Sequence, residues 1–217
     1  LATLVMVGGV ADMANTDLGI DSERLLTANV DLSAQAYPDD ADRVHFFEQL
    51  TATLRADPQV VEAAVGTTVP ALSADFAPML PESYDTADRG PPGVRYGVVD
   101  DHFLAAYGVE LRAGRGFDAR DTAQSDPVVV VDERFARRLF PDADPIGRRV
   151  RIPSDGPDAR WYTVIGVVEK LQLEDLDDPE LPNALVALTQ HPQRAVSVVV
   201  RTRDQPDAFK PQFLALL

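Results

Sequence analysis

Apolar and polar residues alternate in two different periods along the chain, which predicts a mixture of strands and helices. Residues 24–32 (RLLTANVDL) and residues 59–69 each read as a strand. Between them an apolar stripe recurs at helical spacing, formed by Val44, Phe47, Leu50, Thr51 and Leu54. We therefore predict a strand–helix–strand (βαβ) unit whose helix buries Phe47, Leu50 and Leu54.

A second helix is predicted just after residues 128–131, an apolar run of four valines. The run stops at Asp132, a residue type that favours the N-cap position of a helix. One face of the following segment then carries Phe135, Ala136, Leu139 and Phe140, and Pro141 ends it. Pro145 and Gly147 predict a turn that leads into two further strand-like runs.

The second of those runs begins with Trp161 and Tyr162. Strand alternation sends these neighbours to opposite faces, so one should pack on the helix formed by residues 135–140 and the other should lie nearer solvent. The remaining predicted elements are strands at 94–99, 109–112, 184–188 and 195–202, helical turns at 102–107 stopped by Gly108, and a helix from Pro206 that carries Phe209, Phe213, Leu214 and Leu217.

Residues 70–93 differ from the rest because they are rich in Pro, Asp, Ser and Gly and show little periodicity. This change of composition predicts a domain boundary or an excursion here. The opening residues 1–11 (LATLVMVGGVA) are apolar and uncharged. Eleven residues are fewer than the roughly 20 that span a bilayer. We interpret them as the exit end of a membrane helix, with a buried helix of a soluble domain as the alternative.

Charge and cysteine content exclude several classes of partner and chemistry. The 217 residues include 20 basic and 35 acidic side chains, a formal charge of −15. That charge repels nucleic acid and argues against docking on anionic lipid through a basic patch. There is no cysteine, which excludes cysteine nucleophiles, cysteine-bound zinc and disulfides. A cysteine-free chain fits either side of a membrane.

Candidate catalytic and ligand-binding motifs are weak throughout the chain. Residues 114–120 (GRGFDAR) lack the third glycine of a nucleotide-binding loop and open no long helix, so we predict a glycine turn. The histidines His45, His102 and His191 lie far apart and form no metal-spaced pair. Acidic clusters at 39–42, 142–144 and 174–180 lack the spacing of a calcium loop and are interpreted as solvated.

No serine stands in a nucleophile elbow, and no phosphate-binding loop is present. We therefore predict that the chain is not an enzyme and that it has no catalytic, cofactor-binding or metal site.

Four motifs in order carry a family resemblance. They are DLGIDSERLLTANVDL at 17–32, VVDDHFLAAYGVELRAGRGFDARD at 98–121, VVVVDERFARRLFPDADPIGRRV at 128–150 and TVIGVV at 163–168. Together they resemble the MacB-like periplasmic core domain of ABC transporter permeases, in the FtsX-like/MacB permease family. Some relatives have a Tyr-Phe pair where this chain has His102 and Phe103, and Asn in place of Asp132. Both differences are compatible with packing positions.

The resemblance implies an α+β fold made of two parts. Residues 17–69 and 195–217 would form a porter-like βαβ subdomain, and residues 70–194 an inserted, strand-rich α+β subdomain. Residues 1–16 would be the end of the first membrane helix or a stalk. The segment would lie in the periplasm, between membrane helices of a permease in the inner membrane.

The resemblance also implies a function and partners. The domain would transmit conformational change across the envelope and contact cargo or a partner protein. Its expected partners are the membrane helices of the same permease, a cytoplasmic ATPase reached through them, and a second copy in a homodimer or pseudo-dimer. The alternative function is an extracytoplasmic ligand-binding or sensor module that captures a molecule between its two parts. A deep cleft with convergent polar groups would favour that alternative.

Overall fold

One mixed sheet organises the fold. The computed structural model describes residues 4–6, 24–70, 74–82, 92–152, 159–169, 171, 173 and 180–217. Within these residues twelve strands pair into a single sheet, with β1-β2-β12-β3-β6-β11-β8-β10-β9-β5 as its main order. The strands are β1 (Leu4–Met6), β2 (Leu25–Asp31), β3 (Val60–Gly66), β4 (Asp75–Pro78), β5 (Leu80–Pro81), β6 (Gly93–Val99), β7 (Leu111–Gly114), β8 (Val128–Asp132), β9 (Arg149–Arg151), β10 (Trp161–Val168), β11 (Asn183–Ala187) and β12 (Ala195–Thr202).

Four α-helices accompany the sheet in the described ranges. They are α1 (Asp40–Arg55), α2 (Phe103–Tyr107), α3 (Glu133–Leu139) and α4 (Lys210–Leu216), the last preceded by a 3₁₀ turn at Pro206–Ala208. The α+β class predicted from the sequence is confirmed. None of these helices is long and apolar enough to cross a membrane.

The first part of the sheet contains β2, α1 and β3, in the order predicted for residues 24–69. The two strands are not neighbours, because β12 lies between them and runs antiparallel to both. Helix α1 packs on β3, and Phe47, Leu50 and Leu54 are buried as predicted. This part therefore combines segments about 130 residues or more apart in the chain.

The second part of the sheet is centred on β8 and β11, whose residues are all buried. Strand β11 pairs parallel with β6 and antiparallel with β8, while β8 pairs parallel with β10. The short strands β7 and β9 pair antiparallel with β10, and β4 pairs antiparallel with β6. Strands buried on both faces read as continuous apolar runs, which explains the four valines of β8.

The predicted N-cap residue Asp132 is the centre of a buried polar network. Its Oδ1 accepts hydrogen bonds from the backbone N–H of Phe135 at 2.8 Å and of Asn183 at 3.2 Å. Its Oδ2 accepts one from the Asn183 side chain at 2.8 Å and lies 3.7 Å from the buried Arg134 guanidinium. Burial raises the pKa of Asp132, and the hydrogen bonds from Asn183 and Phe135 oppose that shift. Capping and strand pairing thus depend on one carboxyl group.

Two apolar clusters cover opposite faces of the sheet. Along β8, Val129 and Val131 belong to one cluster, and Val128 and Val130 belong to the other. The first cluster includes the buried faces of α1, α3 and α4, and the second includes Phe103 and Tyr107 of α2. Both clusters draw residues from both parts of the sheet, so the parts share their cores. The predicted division at residues 69/70 and 194/195 stays a prediction.

The start of β10 follows the predicted alternation. Tyr162 is 1% exposed, whereas Trp161 is partly exposed beneath the guanidinium groups of Arg149 and Arg151, which lie 5.6 and 5.2 Å from its ring centre. Tyr162 belongs to the same cluster as α3, and its ring stacks on His191. The prediction of one buried and one partly exposed aromatic residue is confirmed.

Two local predictions, for Leu4–Met6 and for β7, need correction, and residues 70–93 contain strands that were not predicted. Leu4–Met6, predicted as helix, forms β1 on the otherwise unpaired edge of β2, where edge pairing determines the structure. Residues 1–3 and 7–23 lie outside the described ranges, so the rest of the predicted helix stays untested. The stretch at 70–93 contains β4 and β5, whose pairing with β6 and β9 is not visible as periodicity. Strand β7 lies two residues later than predicted because it pairs with β10.

Candidate functional site

The sheet is narrowest where its two parts meet, between β3 and β6. The ladder there consists of one pair, Gly66 opposite Val99. Backbone hydrogen bonds extend it on either side, from Thr67 N–H to the Val98 carbonyl at 2.8 Å and from Asp100 N–H to the Val65 carbonyl at 3.0 Å. We call this place the junction.

A side chain at position 66 would crowd the junction. A Cβ there would lie 3.0 Å from Val99 Cγ1, 3.1 Å from the Val98 carbonyl oxygen and 3.2 Å from the Phe103 ring. These distances are tighter than most Cβ contacts in proteins, so the neighbouring atoms would have to move by a few tenths of an ångström to admit a side chain. Helix α2 covers the junction, and Arg201 of β12 donates to the Ala106 carbonyl of α2 at 2.8 Å.

A cleft of about 650 Å³ opens beside the junction. One wall is α1, the floor is formed by the ends of β3 and β6, and the opposite wall is two loops of the second part. The volume is in the range of small-molecule sites. The lining residues are Asp40, Ala41, Val44, His45, Phe47, Glu48, Thr51 and Arg55 of α1; Val65, Val99, Asp100, Asp101 and His102 of the floor; and Phe117, Asp118, Ala119, Asp121, Thr122, Ala123, Gln124, Ala187, Leu188, Thr189 and Pro192 of the far wall.

Asp100 is the unusual residue of the floor. Its Oδ1 is sealed from solvent and has no hydrogen-bond partner among the described residues. Burial raises the pKa of Asp100 to about 8; the charge of Asp101 adds to that shift, while a backbone hydrogen bond at Val65 and the charge of Arg55 oppose it. The carboxyl group therefore holds its proton at neutral pH.

The other charged groups near the floor bond to one another. The Arg55 guanidinium donates to the Ala63 carbonyl at 2.8 Å and lies 4.0 Å from Glu62 Oε1. That same oxygen lies 3.1 Å from His102 Nδ1, so Glu62 connects α1 to the start of α2. These groups hold the floor in place and leave Asp100 Oδ1 without a hydrogen-bond partner among the described residues.

The far wall of the cleft is a loop that ion pairs stiffen. Arg115 donates to both oxygens of Asp121, at 2.7 and 2.8 Å, and Arg120 forms a bidentate pair with Asp118. The hydrogen bonds from Arg120 lower the pKa of Asp118. The Thr189 hydroxyl donates to the Asp121 carbonyl, which joins the two loops of this wall.

The loop of residues 114–120, examined above as a weak phosphate-binding motif, therefore has its cations engaged by its own carboxylates. Gly114 has a positive φ of 71°, and a Cβ there would overlap the Ile165 carbonyl oxygen of β10. Its glycine serves a turn and a close approach between β7 and β10.

The three histidines are not brought together. His45 is exposed on α1, His102 neighbours Glu62, and the His191 ring nitrogen lies 2.8 Å from the Tyr162 hydroxyl. Of the acidic clusters, Asp40 pairs with Arg43 and Asp144 accepts from the Ile146 N–H, while residues 174–179 lie outside the described ranges. Among the described residues no group of three His, Asp or Glu side chains is placed to hold a metal ion.

The sequence did not predict the position of the cleft or the burial of the Asp100 carboxyl group. The cleft's walls come from segments near residues 40–55, 100, 117–124 and 187–192, which no local pattern connects. Asp100 sits in a DDH sequence that reads as a solvated strand end. One feature of the sequence could have indicated it: Asp100 is an acidic residue that directly follows the buried strand β6. In the structure its carboxyl group lies where the two parts of the sheet meet.

The family comparison and the similar sequences all point to MacB-like proteins. Residues 1–216 match the family described as MacB-like periplasmic core domain. The macrolide export ATP-binding/permease protein MacB of Neisseria gonorrhoeae is 37% identical over 75 residues, and that of Haemophilus ducreyi is 36% identical over 85 residues. These stretches cover 35% and 39% of this chain and 11% of each relative, so the chain spans a small share of the proteins it matches.

Solved structures share the fold at low identity. The periplasmic region of MacB from Actinobacillus actinomycetemcomitans superposes with a TM-score of 0.60 at 17% identity, covering 94% of this chain and 86% of that one. The extracellular domain of the noncanonic ABC-type transporter YknZ from Gram-positive bacteria gives 0.51 at 16% identity, covering 76% and 77%. Because the family match runs over nearly the whole chain and the fold agrees, the chain belongs to the MacB-like periplasmic core domain family, the periplasmic domain of ABC transporter permeases.

Proposed function

We propose that this domain transmits conformational change across the envelope within an ABC transporter permease and contacts cargo or a partner protein there. Membrane helices of the same permease would flank it, a cytoplasmic ATPase would drive it through those helices, and two copies or two related domains would work as a pair. The relatives' names, which join ATP-binding and permease functions, support this arrangement.

The observation that carries the proposal is the junction. The sheet is continuous from one part to the other, yet β3 and β6 pair only Gly66 with Val99 in their ladder. A narrow ladder between two well-paired regions can change its angle without breaking either region. The shared apolar clusters then carry a displacement of one part to the other as altered packing.

A cross-link across the cleft tests the proposal. Glu48 on α1 and Gln124 on the far wall line opposite sides. Because these 217 residues contain no cysteine, Glu48→Cys with Gln124→Cys creates a pair unique within the domain for bis-maleimides of graded length, in a permease whose other segments are made cysteine-free. In the intact permease we expect the shortest reagent that reacts to stop transport and leave ATP binding in place.

Two single-cysteine variants treated with the same reagent are the matched controls, and both should transport normally. Transport that continued at the control rate with the pair fully cross-linked would refute transmission through this cleft. Loss of ATP binding in the cross-linked permease would point instead to general damage, and the proposal would lose its support.

A second candidate function, capture of a ligand between the two parts, is favoured by the cleft itself. Its volume of about 650 Å³ lies in the range of small-molecule sites.

A further inference from the structure

Helix α2 follows the second part of the sheet in the chain but packs on the first part. Strand β6, which pairs along its length with β11, leads directly into the helix through residues 100–102. The helix contacts β3 and β12, and its Phe103 and Tyr107 share an apolar cluster with Ala64 and Val199 of those strands. Helix α2 therefore joins the two parts across the junction.

The C-terminal end of α2 is attached by a group whose charge does not change with pH. The buried Arg201 side chain of β12 donates from Nε to the Ala106 carbonyl oxygen at 2.8 Å. Because an arginine side chain stays protonated in proteins, this hydrogen bond keeps its donor at every pH the domain can tolerate.

The N-terminal end of α2 is attached through a histidine. His102 Nδ1 lies 3.1 Å from Glu62 Oε1 of β3, and the backbone N–H of Ala63 donates to that same oxygen at 3.0 Å. His102 Nε2 lies 3.9 Å from Asp101 Oδ1. The side chains of His102 and Glu62 are both partly exposed, so protons reach the ring from solvent. The imidazole thus lies between two carboxylates, one from each part of the sheet.

Carboxylates outnumber cations around the imidazole. Glu62 faces it from β3 and Asp101 from its own segment, while the cation from α1, Arg55, lies 4.0 Å from Glu62 Oε1. Because burial raises the pKa of Asp100 to about 8, that neighbouring carboxyl adds little charge between pH 5.5 and pH 7.5. A positive charge on His102 would therefore be attracted to Glu62 and Asp101.

We propose that α2 is a pH-dependent clasp across the junction, which holds the two parts together more firmly when His102 is doubly protonated and paired with Glu62. A histidine gains its second ring proton below about pH 6.5, and the contact then becomes a charge-assisted hydrogen bond. Above that pH the ring is neutral, so the preference for the closed junction weakens as pH rises. The proposal concerns the isolated domain and can fail while transmission stands.

Amide hydrogen exchange of the 217-residue chain measures how often the junction opens. The N–H groups of Thr67 and Asp100 donate across it, to the Val98 and Val65 carbonyl oxygens. Their protection factors, which remove the ordinary pH dependence of exchange, are measured at pH 5.5 and pH 7.5. The N–H of Thr163, which donates within the second part, is the reference.

A double-mutant cycle isolates the clasp. It compares the native chain with His102→Gln, Glu62→Gln and the double variant, and the ionisation of Asp100 cancels because all four proteins share it. The coupling between the two side chains should raise junction protection about threefold more at pH 5.5 than at pH 7.5, a typical strength for a partly exposed ion pair. His45→Gln, at an exposed histidine of α1, is the matched control and should change neither value.

A coupling that is equal at the two pH values, or larger at pH 7.5, would overturn the proposal. So would imidazole ¹⁵N chemical shifts showing that the His102 ring stays neutral at pH 5.5. This second measurement needs only the native chain and tests the proposal without any variant.

Discussion

The two parts of the sheet are stabilised in different ways. The part formed by β2, β12, β3 and α1 relies on apolar burial, with Phe47, Leu50 and Leu54 covering the sheet. The part centred on β8 and β11 adds a buried polar network, in which Asp132 caps α3 and also binds Asn183 of the neighbouring strand. The first part tolerates changes that keep volume, whereas the second depends on particular hydrogen-bond partners.

This difference bears on how motion could cross the domain. A network in which Asn183 also donates to the Leu171 and Leu181 carbonyls, at 2.7 and 3.1 Å, fixes β11 and its preceding connection as a unit. Helix α1 meets its sheet mainly through apolar side chains, beside the hydrogen bond from Arg55 to the Ala63 carbonyl. We therefore expect the second part to move as a rigid body and the first to absorb small displacements.

The largest effect is expected from breaking the polar network. Asp132→Ala removes the cap of α3 and leaves the buried Arg134 charge without its carboxylate, so unfolding should become easier by about 3–5 kcal/mol. Urea denaturation measures the change. Asp132→Asn, which keeps a capping oxygen, should cost less, and Asp142→Ala at an exposed aspartate should be nearly silent. A loss for Asp132→Ala no greater than that of Asp142→Ala would remove the contrast between the two parts.

In the apolar part, Leu54→Ala should destabilise by about 2–5 kcal/mol because Leu54 lies fully buried on the sheet-facing side of α1. Leu214→Ala on α4, where the side chain is 42% exposed, is the matched control with an expected loss within about 0.5 kcal/mol. Conservative Leu54→Met should recover most of the stability. If Leu54→Met proved as damaging as Leu54→Ala, the apolar part would depend on exact side-chain shape. The contrast with the part centred on β8 and β11 would then weaken.

At the junction, Gly66→Ala should cost about 1–3 kcal/mol, since its methyl group would crowd Val99 and the Val98 carbonyl. Gly116→Ala is the control, because a Cβ there meets only Leu104 Cδ1 at an ordinary 3.6 Å. Thermal melts of both variants give the difference. Equal melting temperatures would mean that the strands separate freely at the junction.

The smallest effect, counted per pH unit, is expected from pH. Native Asp100 keeps its proton to about pH 8, whereas in the unfolded chain it ionises near its ordinary value of 3.8. The native state thus binds more protons in this window, and stability should fall as pH rises from about 4 to about 8. Partial solvent access keeps the slope below roughly 1 kcal/mol per pH unit. Asp100→Asn should flatten the decline between pH 5 and 8; an identical slope in the variant would show that another group causes it.

Local periodicity was enough to predict most elements. The stripe on α1 and the alternation at Trp161 and Tyr162 are repeats within one segment, and burial follows them directly. Periodicity carries no information about which strands become neighbours, so the insertion of β12 between β2 and β3 could not be read from it. Edge strands such as β1, β4 and β5 are determined by their partners, and their sequences are too short to show a pattern.

The candidate site was less predictable for the same reason. The network at Asp132 joins residues 51 positions apart through Asn183, and the cleft combines four distant segments. A capping role for Asp132 is a local property and was predicted. Its burial, and the unsatisfied oxygen of Asp100, arise only when the two parts of the sheet come together.

The most direct test of transmission is a distance measured across the cleft in the working permease. Spin labels at Glu48→Cys and Gln124→Cys report the separation of α1 from the far wall by pulsed electron resonance. We predict two distance distributions, one without nucleotide and one with ATP bound under conditions that prevent hydrolysis. The same single distribution in both states, in a permease that still transports, would contradict a transmitting role for this domain.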